Sequence, residues 1–244
     1  MGPERVSRPA FYALESGGWR DYVTLLHLPY TAWHLSYVVI GAALVPELEG
    51  RRLLATLVAF FLALGIGAHA LDELSGRPLR TRIPEGVLIG FAAVSIGAAV
   101  AIGIAAALAW TLWLLPFVAV GAFLVLAYNL ELFGGRFHTD LWFGLAWGAF
   151  PLLTAYLAAA EELTAEALLA AFFALLTSLV QRTLSTPVRR VRRSVIDVTG
   201  SLTLADGAQE EITPDTLIAA PERALRLLTA AVVSLAAALL VIRF

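Results

Sequence analysis

Residues 53–82 read LLATLVAFFLALGIGAHALDELSGRPLRTR. From Leu53 to Leu71 only Thr56 and His69 interrupt the apolar run, and Asp72 and Glu73 close it. Arg77, Arg80 and Arg82 follow immediately. About 20 apolar residues in a row are enough to cross the hydrocarbon of a bilayer. A charged group held at mid-bilayer costs roughly 2.5–3.5 kcal/mol. Acids and arginines crowded at the mouth of such a helix therefore predict a polar cavity that opens to water.

The rest of the chain repeats the apolar pattern. It has 244 residues, of which 59% are hydrophobic, and a mean hydropathy of +0.80. The apolar residues come in runs rather than in amphipathic stripes, so the reading is one compact polytopic membrane domain. Cys is absent, which removes disulfides, thiolate catalysis and cysteine metal sites. Every basic residue is Arg. Without Lys no Schiff base can form, so a retinal-binding seven-helix protein is excluded.

Candidate spans lie at about 29–46, 53–71, 85–106, 109–130, 141–160, 164–184 and 222–242. They predict an all-α bundle of about seven transmembrane helices, with the boundary near Trp110 the least defined. The division is a polar segment at 1–28, a six-helix membrane core at 29–185, a polar insert at 186–221 and a seventh span at 222–244. Within the insert, Val195–Leu204 alternates loosely and Ala205-Asp206-Gly207 supplies a turn, which suits a small hairpin or a mobile loop. Gly86/Gly90 and Gly144/Gly148 are GxxxG pairs that permit close helix approach. The N-terminal segment shows no signal-peptide layout.

Arginines orient the bundle. Arg5, Arg8, Arg20, Arg77, Arg80, Arg82, Arg136, Arg182, the group Arg189 to Arg193, Arg223 and Arg226 all fall on one side of the seven-span arrangement. The other side has Arg51, Arg52 and Arg243 beside Glu161, Glu162 and Glu166. This predicts a cytoplasmic N-terminus in a bacterial or archaeal plasma membrane.

Three hairpin mouths on that side carry polar groups. His69, Asp72 and Glu73 stand at i, i+3 and i+4 and share a helix face. They suit a Mg²⁺ site, since that ion takes one or two carboxylates beside substrate phosphates. They equally suit an interfacial cap of acids balanced by arginines. His27 and His34 share a stripe of the first span, and an ionisable group inside the membrane is a functional candidate by default; a satisfied neutral imidazole is the alternative. In Tyr128-Asn129-Leu130-Glu131-Leu132-Phe133-Gly134-Gly135-Arg136, Arg136 can grip phosphate or simply follow the positive-inside bias. In the sixth span Thr177/Gln181 and Ser178/Arg182 form i, i+4 pairs, and Arg182 offers a planar fork for phosphate. Arg189 to Arg193 are expected to face anionic lipid headgroups.

This layout resembles the UbiA-type intramembrane prenyltransferase superfamily. Leu28-Pro29-Tyr30-Thr31-Ala32-Trp33 is similar to its opening helix, and Ala68 to Leu74 with Arg77-Pro78-Leu79 to its first aspartate-rich segment. Tyr128 with the Gly-Gly-Arg turn resembles the middle of that fold. The likeness spans about 20–185. Gly76 stands where a further aspartate is expected, and Gln181-Arg182-Thr183 where the second acidic motif belongs. The resemblance implies transfer of an isoprenoid chain from its diphosphate to a lipid or aromatic acceptor. Asp72 and Glu73 would hold Mg²⁺, and Tyr128 would sit near the developing carbocation. Arg77, Arg136 and Arg182 would supply fixed positive charge, with His34, His69 and Gln181 binding substrate. The partners expected are an isoprenoid or other lipid substrate and the membrane lipids, with no nucleic acid. A non-catalytic lipid-binding or scaffolding member is the first alternative, and a small transporter using His34 and His69 is the second.

Overall fold

A computed structural model describes residues 8–243. Residues 1–7, including Arg5 of the N-terminal polar segment, and Phe244 lie outside the described residues. Of the described residues 74% are helical. A short helix α1 (Trp19–Leu25) precedes α2 (Leu28–Ala43), α3 (Gly50–Leu74), α4 (Glu85–Ala109), α5 (Leu114–Asn129), α6 (Asp140–Ala160) and α7 (Ala165–Ser194). A two-stranded hairpin, β1 (Ser201–Thr203) and β2 (Gln209–Glu211), leads into α8 (Pro214–Arg243).

Among the described residues five helices (α3, α4, α6, α7 and α8) are long and apolar enough to cross a membrane. The helices at the first and fourth expected spans are shorter. α2 and α5 have 16 residues each, about 24 Å at 1.5 Å per residue, against a hydrocarbon core of about 30 Å. α4 ends at Ala109 and α5 begins at Leu114, so the undefined boundary near Trp110 is a real break between two helices.

Packing centres on α2. Trp33, Tyr37 and Val38 are fully buried, because α2 is covered by α6 on one side and α8 on the other. The α2–α6 crossing is close at Gly41, where a Cβ would meet the Leu152 carbonyl oxygen at 2.3 Å. Gly148 plays the same part between α6 and α7, since its Cβ would lie 2.5 Å from the Ala174 oxygen. Small residues permit such approaches where there is no water to drive helices together. The pair Gly86/Gly90 differs: a Cβ at either site would touch nothing within 4 Å, so no helix seats on it. Tyr37 ties the buried polar groups together. Its hydroxyl accepts from Trp33 Nε1 at 2.5 Å and meets Thr177 Oγ1 at 2.7 Å and Ser178 Oγ at 3.2 Å, which joins α2 to α7.

The expected polar insert is shorter than its sequence suggested. α7 passes Pro187 and continues to Ser194, and α8 begins at Pro214, which leaves only 195–213 outside helices. Leu184, Val188, Val191 and Val195 recur at helical spacing and pack on Ile218 and Leu225 of α8. The Arg192–Glu222 ion pair fastens this extension. Pro187 costs one ladder bond, which the apolar seam offsets. The exposed hairpin pairs Leu202 with Glu210, and Gly207 takes φ 89° in its turn.

Candidate functional site

One polar cavity of about 450 Å³ opens at the end of the bundle where α3, α5 and α7 finish and α2 and α6 begin. It draws Asp72 and His69 from α3, Tyr128 from α5, His34 from α2, and Gln181 and Arg182 from α7. The ends of α3, α5 and α7 thus meet around one space. Asp72 lies within electrostatic reach of Arg193, Arg189, Arg182 and His138.

Three expected site residues lie elsewhere. Glu73 is fully buried beneath the α3–α4 loop and is no cavity wall. Leu79 N–H donates to its Oε2 at 3.0 Å, while Thr81 N–H and Thr81 Oγ1 donate to Oε1 at 2.9 and 2.8 Å. Such a buried carboxylate anchors the loop. Arg77, at φ 55°, clasps the same loop by donating to the Ile83 carbonyl at 2.5 Å. Arg136 is exposed, on the loop after α5 and outside the cavity lining. The reason is local in each case: the turn after α3 has backbone donors and carbonyls that need partners once buried, and Glu73 and Arg77 are the nearest side chains.

With Glu73 turned away, the donor set does not fit Mg²⁺ held by an Asp72–Glu73 pair. Among the described residues no group of three or more His, Asp or Glu side chains is placed to hold a metal ion. Glu131, at the rim, is largely exposed and approaches His138 at 3.8 Å.

The cavity also contains residues the sequence reading did not place there. Arg189, Arg190 and Arg193 line it rather than facing lipid alone. Arg182 pairs with Asp140 at 2.9 Å, and its guanidinium lies 5.4 Å from the Phe143 ring centre. Arg193 Nε donates to the Pro9 carbonyl at 3.4 Å and so holds the N-terminal strap across the mouth. Tyr12 of that strap lines the cavity, and its hydroxyl bonds His27 Nδ1 at 2.9 Å. Burial pushes the Tyr12 phenol up from its ordinary value, helped by the neighbouring Tyr30. Burial, then His69 and Arg193, holds His27 well below 6.5.

The chain has 4 histidines, and His27, His34, His69 and His138 all line this cavity. His27 and His69 stack face to face at 4.0 Å, and Tyr128 and His138 at 4.4 Å. Three lining side chains hold a buried polar atom without a partner: His27 Nε2, Tyr128 Oη and Gln181 Oε1. Native structures leave few such atoms, so these three call for water or another polar group in the cavity. A signal for Arg189, Arg190 and Arg193 existed in the sequence, since continuing the helix past Arg182 puts Arg189 and Arg193 on the Arg182 face at i+7 and i+11.

A second, apolar cavity of about 110 Å³ lies between α3, α4, α5 and α6, lined by Ala63, Ile96, Val118, Phe150 and Trp147. Trp147 is a wall of both cavities. The arrangement therefore places arginines beside a partly buried carboxylate and imidazoles, with hydrocarbon-lined space behind the Trp147 wall. Comparison with protein-family models, with curated proteins and with solved structures finds no match to the chain.

Proposed function

We propose that the chain is a divergent UbiA-like integral membrane prenyltransferase that receives the head of an isoprenoid diphosphate in the polar cavity. The observation that carries this reading is the cavity itself: Arg182, Arg189 and Arg193 share it with Asp72, His69 and Tyr128, and its Trp147 wall adjoins an apolar space. Planar guanidinium groups match the oxygens of a diphosphate bidentately. Fixed positive charges aimed at a leaving diphosphate stabilise the charge that develops as its carbon–oxygen bond breaks. In this reading Tyr128, buried beside Trp147 and stacked on His138, stabilises the allylic cation. In this reading α2 and α5 complete a seven-span bundle with a cytoplasmic N-terminus, and the acceptor is a lipid or an aromatic molecule.

The test is turnover of geranylgeranyl diphosphate by the full chain in nanodiscs, with Arg189→Gln beside it. Loss of one charge-assisted contact, about 1.5–3 kcal/mol, predicts roughly 10- to 100-fold weaker binding in the variant. Binding that ignores Arg189 and Arg182 alike would overturn the assignment. A second reading, a lipid-phosphate-binding protein without catalysis, is favoured by one observation: Glu73 is withdrawn into the loop, so of the adjacent Asp72–Glu73 pair Asp72 alone lines the cavity. Tight binding of geranylgeranyl phosphate in chelator, with no product from the diphosphate, would select it.

A further inference from the structure

The histidines carry information about proton transfer that arginines cannot. His69 Nδ1 lies 3.1 Å from the Gly65 carbonyl, His34 Nδ1 lies 2.8 Å from the Trp147 carbonyl, and His138 Nδ1 lies 3.0 Å from the Tyr128 carbonyl. A carbonyl only accepts hydrogen bonds, so in each ring Nδ1 carries the proton and the neutral ring keeps its lone pair on Nε2. His27 is different, because Tyr12 can either donate or accept.

Two of these carbonyls belong to unusual backbone. Gly65 lies in a π-helical segment of α3, Phe61–Ala68, and Trp147 in another of α6, Gly144–Ala149. A π-turn loosens the ladder to i→i+5 and is found mostly at functional positions. Here each π-turn offers a carbonyl lone pair to an imidazole. The cavity thus has a donor wall, the guanidinium groups of α7, and an acceptor wall, the Nε2 atoms of His34 and His69 with Asp72.

Building on the prenyl-transfer reading, we infer that His69 is the catalytic base and that the acceptor is a molecule with a hydroxyl or amine proton to lose. The bond between C1 of the isoprenoid and the diphosphate oxygen breaks, and its electron pair leaves with the diphosphate. The acceptor oxygen or nitrogen bonds to C1, and its proton passes to His69 Nε2. The imidazolium keeps Nδ1–H on Gly65 and stands one turn from the Asp72 carboxylate, an i, i+3 neighbour on the same face. His27, stacked on the ring, holds its plane. His69 is the better base than His34 because His34 is only 5% exposed, deeper in the bundle.

The experiment uses the full chain in nanodiscs with geranylgeranyl diphosphate, and phenol and glycerol as parallel hydroxyl donors. Nitrogen-15 spectra of labelled histidine report the tautomers directly. Wild-type protein is expected to show Nδ1-protonated His69 and to form product at a rate that falls on the acid side. His69→Asn keeps a donor for the Gly65 carbonyl and removes Nε2. It should still bind the diphosphate through the guanidinium groups and lose roughly a hundredfold or more in turnover, along with the acid limb of the pH profile. His69→Gln, which places an amide near the Nε2 position, should be equally slow. Product formation by His69→Asn at the wild-type rate, or an Nε2-protonated His69, would overturn the base assignment while leaving prenyl transfer intact. A wild-type chain that binds the diphosphate and makes no product would overturn prenyl transfer and the base with it.

Discussion

Glu73 and Asp72 are neighbours in sequence with opposite surroundings, and Glu73→Gln separates structure from chemistry at this site. The Glu73 carboxylate accepts three hydrogen bonds, one from Leu79 N–H to Oε2 and two from Thr81 to Oε1. A glutamine amide has one acceptor end. If its oxygen stays with Thr81, its NH₂ confronts the Leu79 N–H and a buried donor loses its partner. That costs about 1–3 kcal/mol, and the remaining bonds lose charge assistance worth about another 1–2 kcal/mol. The sum, about 2–5 kcal/mol, corresponds to a fall in melting temperature of roughly 4–20 °C for a chain of this size. The assay is thermal unfolding followed by tryptophan fluorescence, run beside Asp72→Asn. Asp72 lines the cavity and is only partly buried, so its substitution should cost less stability than that of Glu73 and, in the proposed reading, abolish turnover of geranylgeranyl diphosphate. A Glu73→Gln protein that melts like wild type but has lost divalent-cation-dependent activity would refute the reasoning and return Glu73 to the site.

Two further outcomes are expected. His27 is held below 6.5 when folded, so below that value the unfolded chain binds more protons and stability must fall as pH falls. The slope is at most about 1.36 kcal/mol per pH unit for one proton, and chemical denaturation between pH 7 and 5 should show His27→Gln flattening it by up to that amount. At the far end of α7, Glu222 is largely buried against Arg192. Glu222→Gln leaves that guanidinium unneutralised, at a cost of up to about 3–5 kcal/mol; trypsin should then cut after Arg189 or Arg190 faster than in wild type, and unchanged cleavage would show that the seam of Val188, Val191, Ile218 and Leu225 holds α7 and α8 together unaided.

Much of this molecule is written in runs of apolar residues, because a bilayer demands length and hydrophobicity in one continuous stretch. The long helices α3, α4, α6, α7 and α8 all coincide with such runs. The helix ends are less legible. α7 extends through Arg189 to Ser194 because four apolar residues meet α8, a tertiary contact that a charge-rich stretch hides. Asp72 faces the cavity and Glu73 the loop because adjacent residues on a helix point about 100° apart, and which of them met the loop donors depended on where Leu79 and Thr81 came to rest. Tyr12 was hidden for a different reason: a short strap before the first helix has no periodicity to read, and it reaches the site through carbonyl bonds to Arg192 and Arg193.

The charges around the cavity explain why its contents should be anionic. Arg182 is neutralised by Asp140 and Arg192 by Glu222. Among the described residues, Arg189, Arg190 and Arg193 have no acidic partner within ion-pair distance. Arg189 reaches only Thr186 Oγ1, at 3.4 Å, and Arg193 only a backbone carbonyl. Two like charges 4 Å apart repel by about 4 kcal/mol at an effective dielectric constant near 20. Asp72 and the largely exposed Glu131 are the acids of this lining, and Arg189 and Arg193, both partly buried, repel each other with less screening by water and salt than groups on an open surface. Headgroups at the membrane surface can relieve the outermost of them, but the three unpartnered atoms on His27, Tyr128 and Gln181 lie deeper in the same cavity. The proposed ligand answers both sets: the anionic head of a phosphorylated isoprenoid would sit among these side chains, with its apolar body against Trp147.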